Sequence, residues 1–263
     1  MMYSLWLTIF GVVSYLIGSI NWAVIISKFK KIDIRKMGSG NPGTLNMSRN
    51  LGFKFGLLTF FLDILKGAVP TLAAFFFFGD DKFVNSEFYI YDFAVYLCGL
   101  CVILGHIFPL YFKFKGGKGI ASTIGVFLIA ESVHGVGWAM VAVMALVAAA
   151  VFIYITEFGA MGSFIAITPP AISGSIRLFI DYGKPQGANV INNNIGYYIV
   201  CCMLIFGICF FTWFAHRKNI ERMLAGDEHP TSFKSMLVKA KAKKMQENQS
   251  ETAENIADKS KLN

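Results

Sequence analysis

Three clusters of glycine, hydroxyl, amide and basic residues carry the chemical potential of this sequence: GSGNPGTLNMSR from Gly38 to Arg49, GHIFPLYFKFKGGKG from Gly105 to Gly119, and HRKNIERMLAGDE from His216 to Glu228. Glycine has no Cβ, so successive backbone N–H groups can turn toward one concavity. A helix starting beyond such a loop adds the positive end of its dipole, and phosphate is the favoured guest. Gly38, Gly40, Asn41, Gly43 and Asn46, with Ser39 and Arg49, form one such cradle; Lys115, Gly116, Gly117, Lys118 and Gly119 form a second. Arginine grips phosphate through two parallel hydrogen bonds, whereas Lys115 and Lys118 act as compact charges. Two cradles imply two phosphorylated groups. In the third cluster His216 and Asn219 are three residues apart and share a face if a helix runs through them, placing a base beside an amide, with Glu228 at the same mouth.

The familiar nucleotide motifs fail on context. Gly38 to Gly43 satisfies G-x-G-x-x-G, but the dinucleotide reading needs a preceding strand and an acidic residue about 20 positions on, and the flanks here are apolar runs. A Walker loop needs glycine five residues before Gly-Lys and Ser or Thr after it; this chain has Phe112 and Gly119 at those positions. Cys98, Cys101, Cys201, Cys202 and Cys209 all lie in apolar stretches and read as small packing residues. No set of His, Cys and carboxylates has metal-ligand spacing, so neither a metal nor a cofactor is expected.

The elements that must position these clusters are membrane helices. The chain has 263 residues, 55% of them hydrophobic, with 26 Phe, more apolar than a soluble domain. Runs of about 20 apolar residues cross about 30 Å of hydrocarbon. They lie near 5 to 28, 55 to 78, 91 to 112, 137 to 156, 159 to 178 and 194 to 215. A seventh, shorter run near 119 to 133 carries Glu131 and is needed if loops are to alternate sides. The expectation is an all-α polytopic protein with seven transmembrane helices over residues 1–230. A basic, then polar, partly disordered cytoplasmic tail follows over 231–263. The first run lacks a basic start and a small-residue cleavage site, so it is expected to stay as an anchor. Lys28, Lys30, Lys31, Arg35, Lys36, Arg49 and Lys54 in the first loop, and Lys113, Lys115 and Lys118 after the third run, mark cytoplasmic segments; Asp80, Asp81 and Glu87 mark an outer one. The N-terminus is therefore expected outside and the C-terminus inside, with all three clusters on the cytoplasmic face.

Within LDILKG, Asp63 and Lys66 are three apart and adjacent on one helix surface. An ionised pair at membrane depth must face the protein interior, where it either serves a site or locks helices together. Glu131, His134 and Glu157 fall near span ends, and His106 lies just inside the cytoplasmic half of the third run. A transporter for an organic phosphate would use similar cations, but near the midplane between repeated halves. The polar residues here gather at one face without a repeat, which favours an enzyme that meets a soluble phosphate on one side and a lipid chain from the bilayer. A non-catalytic lipid-binding scaffold would leave the three clusters unexplained.

GSGNPGTLN with Arg49, GH followed by FKGGKGIAS, and HRKNIERMLAGDE resemble the three signature motifs of the bacterial glycerol-3-phosphate acyltransferases that use acyl phosphate, the PlsY family; LDILKG is similar to that family's second helix. The resemblance runs up to Glu228. It implies a seven-helix enzyme of the bacterial plasma membrane that moves an acyl chain from acyl phosphate to the 1-hydroxyl of glycerol 3-phosphate, giving 1-acylglycerol 3-phosphate and phosphate and so beginning phospholipid synthesis. It implies that Ser39 and Arg49 hold substrate phosphate and that Lys118 with its glycines engages the acyl-phosphate group. His216, Asn219 and Glu228 would complete the glycerol 3-phosphate side, and Ser163 in TEFGAMGSFI aligns with a functional serine. The implied partners are acyl phosphate, glycerol 3-phosphate, the lipid bilayer and an enzyme that makes acyl phosphate, with no nucleic acid. The family's GATN reads Gly43, Thr44, Leu45, Asn46 here, and Glu157 and Ala160 stand where the family has Arg and Ser.

Overall fold

A computed structural model describes residues 2–84, 86, 88–182, 193–228, 230, 231, 238 and 245. Glu87, most of the Asn-rich segment before the last span and nearly all of the expected polar tail lie outside these residues. The described chain is helical: α1 (Met2–Gly18), α2 (Trp22–Phe29), α3 (Thr44–Leu51), α4 (Phe53–Phe78), α5 (Ile90–Ile107), α6 (Ile120–Ser132), α7 (Val136–Thr156), α8 (Gly159–Tyr182), α9 (Asn193–Ala215) and α10 (Arg217–Ala225). Six stretches are long and apolar enough to cross a membrane, with α1 and α2 counting as one; α6, with 13 residues, is a shorter apolar helix.

The helices alternate between two ends of one bundle. Gly119, which caps α6, lies beside Ile103 and Ile107 near the end of α5, while His134, just past α6, lies beside Asp92 at the start of α5. Short as it is, α6 thus runs nearly the length of α5 in the opposite sense. Thr123 near the start of α6 meets Thr212 near the end of α9, and Arg177 near the end of α8 reaches back to Asp92. All three glycine-rich or basic clusters fall at one end, called here the loop end.

Close helix approach sets this arrangement. A Cβ on Gly67 of α4 would lie 2.1 Å from the Ser122 carbonyl oxygen, and one on Gly125 of α6 would lie 2.1 Å from that of Ile64. The α4 and α6 backbones therefore touch across small residues, the usual device of helix pairs in lipid. That contact fixes where α6 begins, and with it the loop that precedes it.

The first span departs from a continuous helix over 5 to 28. It breaks at Ser19–Asn21, where the Asn21 side chain accepts the Val24 N–H at 3.1 Å and starts α2 afresh. The carbonyl of Ile20, released by the break, accepts a hydrogen bond from Lys66 Nζ at 2.8 Å, so the loss of a helix bond at membrane depth is offset by a charged donor.

At the opposite end polar side chains of α5, α6 and α8 hydrogen-bond to one another, although Tyr96 Oη, Glu131 Oε1 and Arg177 Nε find no partner there among the described residues. Asp92 accepts hydrogen bonds from Arg177 Nη2 at 2.9 Å and Tyr182 Oη at 2.6 Å, and His134 Nε2 lies 3.0 Å from it. Arg177 Nη1 also donates to Asp181 at 3.1 Å, and Ser173 donates to Glu131 at 3.1 Å. A cavity of about 450 Å³ opens beside this network, lined by Tyr89, Tyr91, Trp138 and Tyr182 around Lys82 and His134.

Candidate active site

The first cluster folds as a loop held from within. Gly38 and Gly40 take φ of +54° and +69°, which side chains with a Cβ rarely adopt. Asn46 organises the loop: its Nδ2 donates to the carbonyls of Ile34 at 3.1 Å and Met37 at 3.0 Å, and its Oδ1 accepts the Ser39 N–H at 3.2 Å. Gly43 caps α3, and Arg49 projects from that helix's last turn. Burying Met47 of α3 with Ala23, Val24 and Ile34 fixes α3 against the end of the first span.

The second loop ends at Gly119, whose φ of +86° turns the chain into α6. Lys118 thus stands just ahead of the α6 N-terminus, where free N–H groups and the helix dipole favour an anion. The third cluster starts at the bend between α9 and α10. Beyond α10, Gly226 at φ +77° turns the chain back so that Glu228 returns beside Arg222.

The three clusters meet. Lys118 Nζ donates a hydrogen bond to Asn219 Oδ1. Asn219 Nδ2 donates to Glu228 Oε1 at 2.7 Å, and Arg222 Nε donates to Glu228 Oε2 at 3.0 Å. Arg49 reaches the chain just past this network, donating to the carbonyls of Thr231 at 3.0 Å and Pro230 at 3.2 Å. The Thr231 N–H in turn donates to the Glu157 carbonyl at 2.9 Å, so the start of the C-terminal segment bridges Arg49 and the α7–α8 turn.

The electrostatics follow from this crowding. Burial pushes the Lys118 ammonium down to about 8; Arg222 and Arg49 add to the shift and Glu228 opposes it. Burial, reinforced by Lys118, pushes the His216 imidazole down to about 4, against the opposing hydrogen bond to Thr212. His216 is therefore neutral near pH 7. Its Nδ1 lies 2.9 Å from the Thr212 carbonyl oxygen, and a carbonyl only accepts. Nδ1 accordingly carries the proton and Nε2 keeps a lone pair. Burial also lowers Arg49, with Glu157 and Glu228 opposing. Three cations, Arg49, Lys118 and Arg222, thus converge on Glu228 and Glu157, leaving a surplus of positive charge in a half-buried mouth.

The other residues singled out in the sequence occupy distinct places. Ser39 is exposed in the first loop, and the Asn41 N–H approaches its Oγ at 3.4 Å. Lys115 is exposed. Ser163 donates to the Gly159 carbonyl of its own helix at 2.8 Å. Asp63 and Lys66 form a buried pair at 3.0 Å, with Lys66 committed also to Ile20. Arg222 and Thr212 were not singled out by residue pattern. For Arg222, the glycine that stops α10 and folds Glu228 back upon it was the available signal.

A family model described as glycerol-3-phosphate acyltransferase matches residues 8–226. The chain belongs to the glycerol-3-phosphate acyltransferase family. It is 37% identical over 229 residues to the glycerol-3-phosphate acyltransferase of Aquifex aeolicus (strain VF5), covering 87% of this chain and 99% of that one. It is 35% identical to that of Mycoplasmopsis pulmonis (strain UAB CTIP), covering 82% and 88%. Among solved structures it resembles PlsY (YgiH), an integral membrane glycerol 3-phosphate acyltransferase, in its glycerol 3-phosphate form. The TM-score is 0.59 and the identity 34%, covering 85% of this chain and 94% of that one; the lysophosphatidic acid form gives 0.58. With its apolar spans, this member of the acyltransferase family is a multi-pass membrane protein.

Proposed function

We propose that this acyltransferase moves a fatty acyl group from acyl phosphate to the 1-hydroxyl of glycerol 3-phosphate, forming 1-acylglycerol 3-phosphate and phosphate. The site would face the cytoplasm from a bundle that crosses the membrane seven times. The observation that carries the reading is the hydrogen-bonded run Lys118–Asn219–Glu228–Arg222 beside Arg49, which brings Lys118 of the second glycine loop and cations of the other two clusters to one mouth. The basic loops at that end support the orientation, and the antiparallel course of α6 along α5 supports the seventh crossing.

An acyl phosphate is already activated, so positioning and charge neutralisation supply most of the catalysis without a covalent enzyme intermediate. Ser39 and Arg49 hold the glycerol 3-phosphate phosphate, and Lys118, at the head of α6, takes the acyl-phosphate group. The hydroxyl oxygen forms a bond to the acyl carbon while the bond from that carbon to the phosphate oxygen breaks. The electron pair leaves with phosphate, and the hydroxyl proton passes to the His216 Nε2 lone pair or to the departing phosphate. Asn219, fixed by Glu228, orients Lys118.

The test is product formation by the purified full chain in detergent, supplied with glycerol 3-phosphate and acyl phosphate, acyl-CoA or acyl carrier protein. Turnover confined to acyl phosphate is expected. Absence of product from every donor, with glycerol 3-phosphate still bound, would refute the enzyme reading and favour transport.

A further inference from the structure

The Gly116–Gly119 loop has a floor, and that floor is one histidine near the end of α5. The Gly117 N–H donates to the His106 carbonyl at 3.2 Å, and the Gly116 N–H donates to the next carbonyl, that of Ile107, at 3.1 Å. A Cβ on Gly116 would lie 2.0 Å from the His106 carbonyl oxygen. One on Gly117 would lie 2.3 Å from His106 Nε2, with Cδ2 and Cε1 of the ring at 3.2 Å. Both glycines thus rest directly on His106, one on its backbone and one on its ring. The ring itself is confined: His106 is 4% exposed, its Nδ1 lies 3.4 Å from Ser122 Oγ in the first turn of α6 and 4.0 Å from Asp63, and Asp63 is paired with Lys66.

We propose that His106 is the positioning residue of the phosphate loop: the imidazole, wedged between Ser122, Asp63 and Gly117, sets the height at which Lys118 meets the substrate phosphate. The proposal rests on reading this mouth as a phosphoryl-substrate site. It gives the pair of glycines ahead of Lys118 a purpose other than wrapping the ligand. They are clearance for the ring below, because any side chain at Gly117 would have to displace a buried imidazole. It also assigns a place to the Asp63–Lys66 pair, which backs the ring from α4 and ties it through the Ile20 carbonyl to the break in the first span. A displacement of about 1 Å in a positioning element can cost on the order of 100-fold in rate, so a ring that lifts or drops the loop has leverage on catalysis without touching substrate.

The test is a rescue cycle in the full chain. Gly117→Ala should raise the KM for acyl phosphate or lower kcat/KM by roughly 10- to 100-fold. It should also abolish the upward shift in thermal unfolding temperature that inorganic phosphate gives the wild type. Asparagine places an amide nitrogen near the position of imidazole Nδ1 but lacks the far edge of the ring. His106→Asn combined with Gly117→Ala should therefore recover at least half of the lost phosphate shift and most of the lost kcat/KM. Should His106→Asn fold poorly, judged by unfolding without phosphate, the combination with His106→Ala makes the same comparison. A double variant that folds like the wild type yet performs no better than Gly117→Ala in either readout overturns the proposal. So does a His106→Asn single variant with unchanged KM, kcat and phosphate shift. If the wild type turns over no acyl donor while the phosphate shift and its rescue persist, the enzyme reading falls and the role of His106 in the loop stands.

Discussion

The two ends of the bundle both gather charged side chains, and they use them in opposite ways. At the end holding Asp92 and Arg177, those two charges are paired: Arg177 lies between Asp92 and Asp181, and Asp92 also takes Tyr182 and His134. At the loop end Arg49, Lys118 and Arg222 outnumber the carboxylates beside them, and Arg49 rests on backbone carbonyls. A buried ion pair with its partners in place binds helices to one another, whereas a surplus of cations beside glycine loops calls for an anion from outside. Depth and charge alone therefore do not mark a site in this fold; the uncompensated remainder does. The cavity beside the paired network takes Arg177 and Asp181, already paired with each other, into its lining, and Lys82 lies over the Tyr89 ring.

The largest effect is expected at the paired end. Arg177→Met leaves Asp92 without its main counter-charge and should destabilise the protein by about 3–5 kcal/mol, read as a lower unfolding temperature in detergent. The surviving folded fraction should keep its KM values; a large KM change with normal stability would move Arg177 into the site. At the loop end Lys118→Ala should do the reverse, lowering kcat/KM by about 10²–10³-fold, roughly 2.7–4 kcal/mol, with unfolding temperature unchanged.

A smaller effect is expected from Glu228→Gln, which keeps the shape but removes the charge that orients Asn219 and Arg222. A loss of about tenfold in kcat/KM, equal to about 1.4 kcal/mol, is expected, and an unaltered rate would detach Glu228 from the site. Smallest is a pH effect. In the proposed reaction Lys118 would hold phosphate only when charged, and burial favours its neutral form, so kcat/KM should fall as pH rises through about 8. Lys118→Arg, whose guanidinium stays charged above pH 12, should lack that alkaline limb even if its maximum is lower. A limb retained in Lys118→Arg would assign the titration to another group.

The sequence displayed the loop end better than its opposite because the chemistry there is local. GSGNPG, GGKG and the HRKN start of the third cluster are each contiguous, and the apolar runs between them put their ends together. Asp63 and Lys66 were legible as neighbours because three residues on a helix make a contact whatever the tertiary structure. The Asp92–Arg177 bond joins residues 85 apart, and no periodicity announces such a pairing. The break at Ser19–Asn21 was likewise hidden, since its compensation comes from Lys66 on another helix. The floor under Gly117 was invisible for the same reason: His106 is eleven residues upstream, and only the fold back from Pro109 brings it under the loop.

The shortness of α6 has a consequence for where two immiscible reactants can meet. Thirteen residues at 1.5 Å each span about 20 Å, some 10 Å less than the hydrocarbon thickness of about 30 Å, while the 26 residues of α4 and the 21 of α7 reach across it. Under the proposed seventh crossing, a helix so short, with its far end beside Asp92, would draw its starting loop inward from one membrane face. In the proposed reaction a small polar phosphate would reach Lys118 from the aqueous side while an acyl chain would reach it from the bilayer, so neither reactant would leave its own solvent for the bond to form.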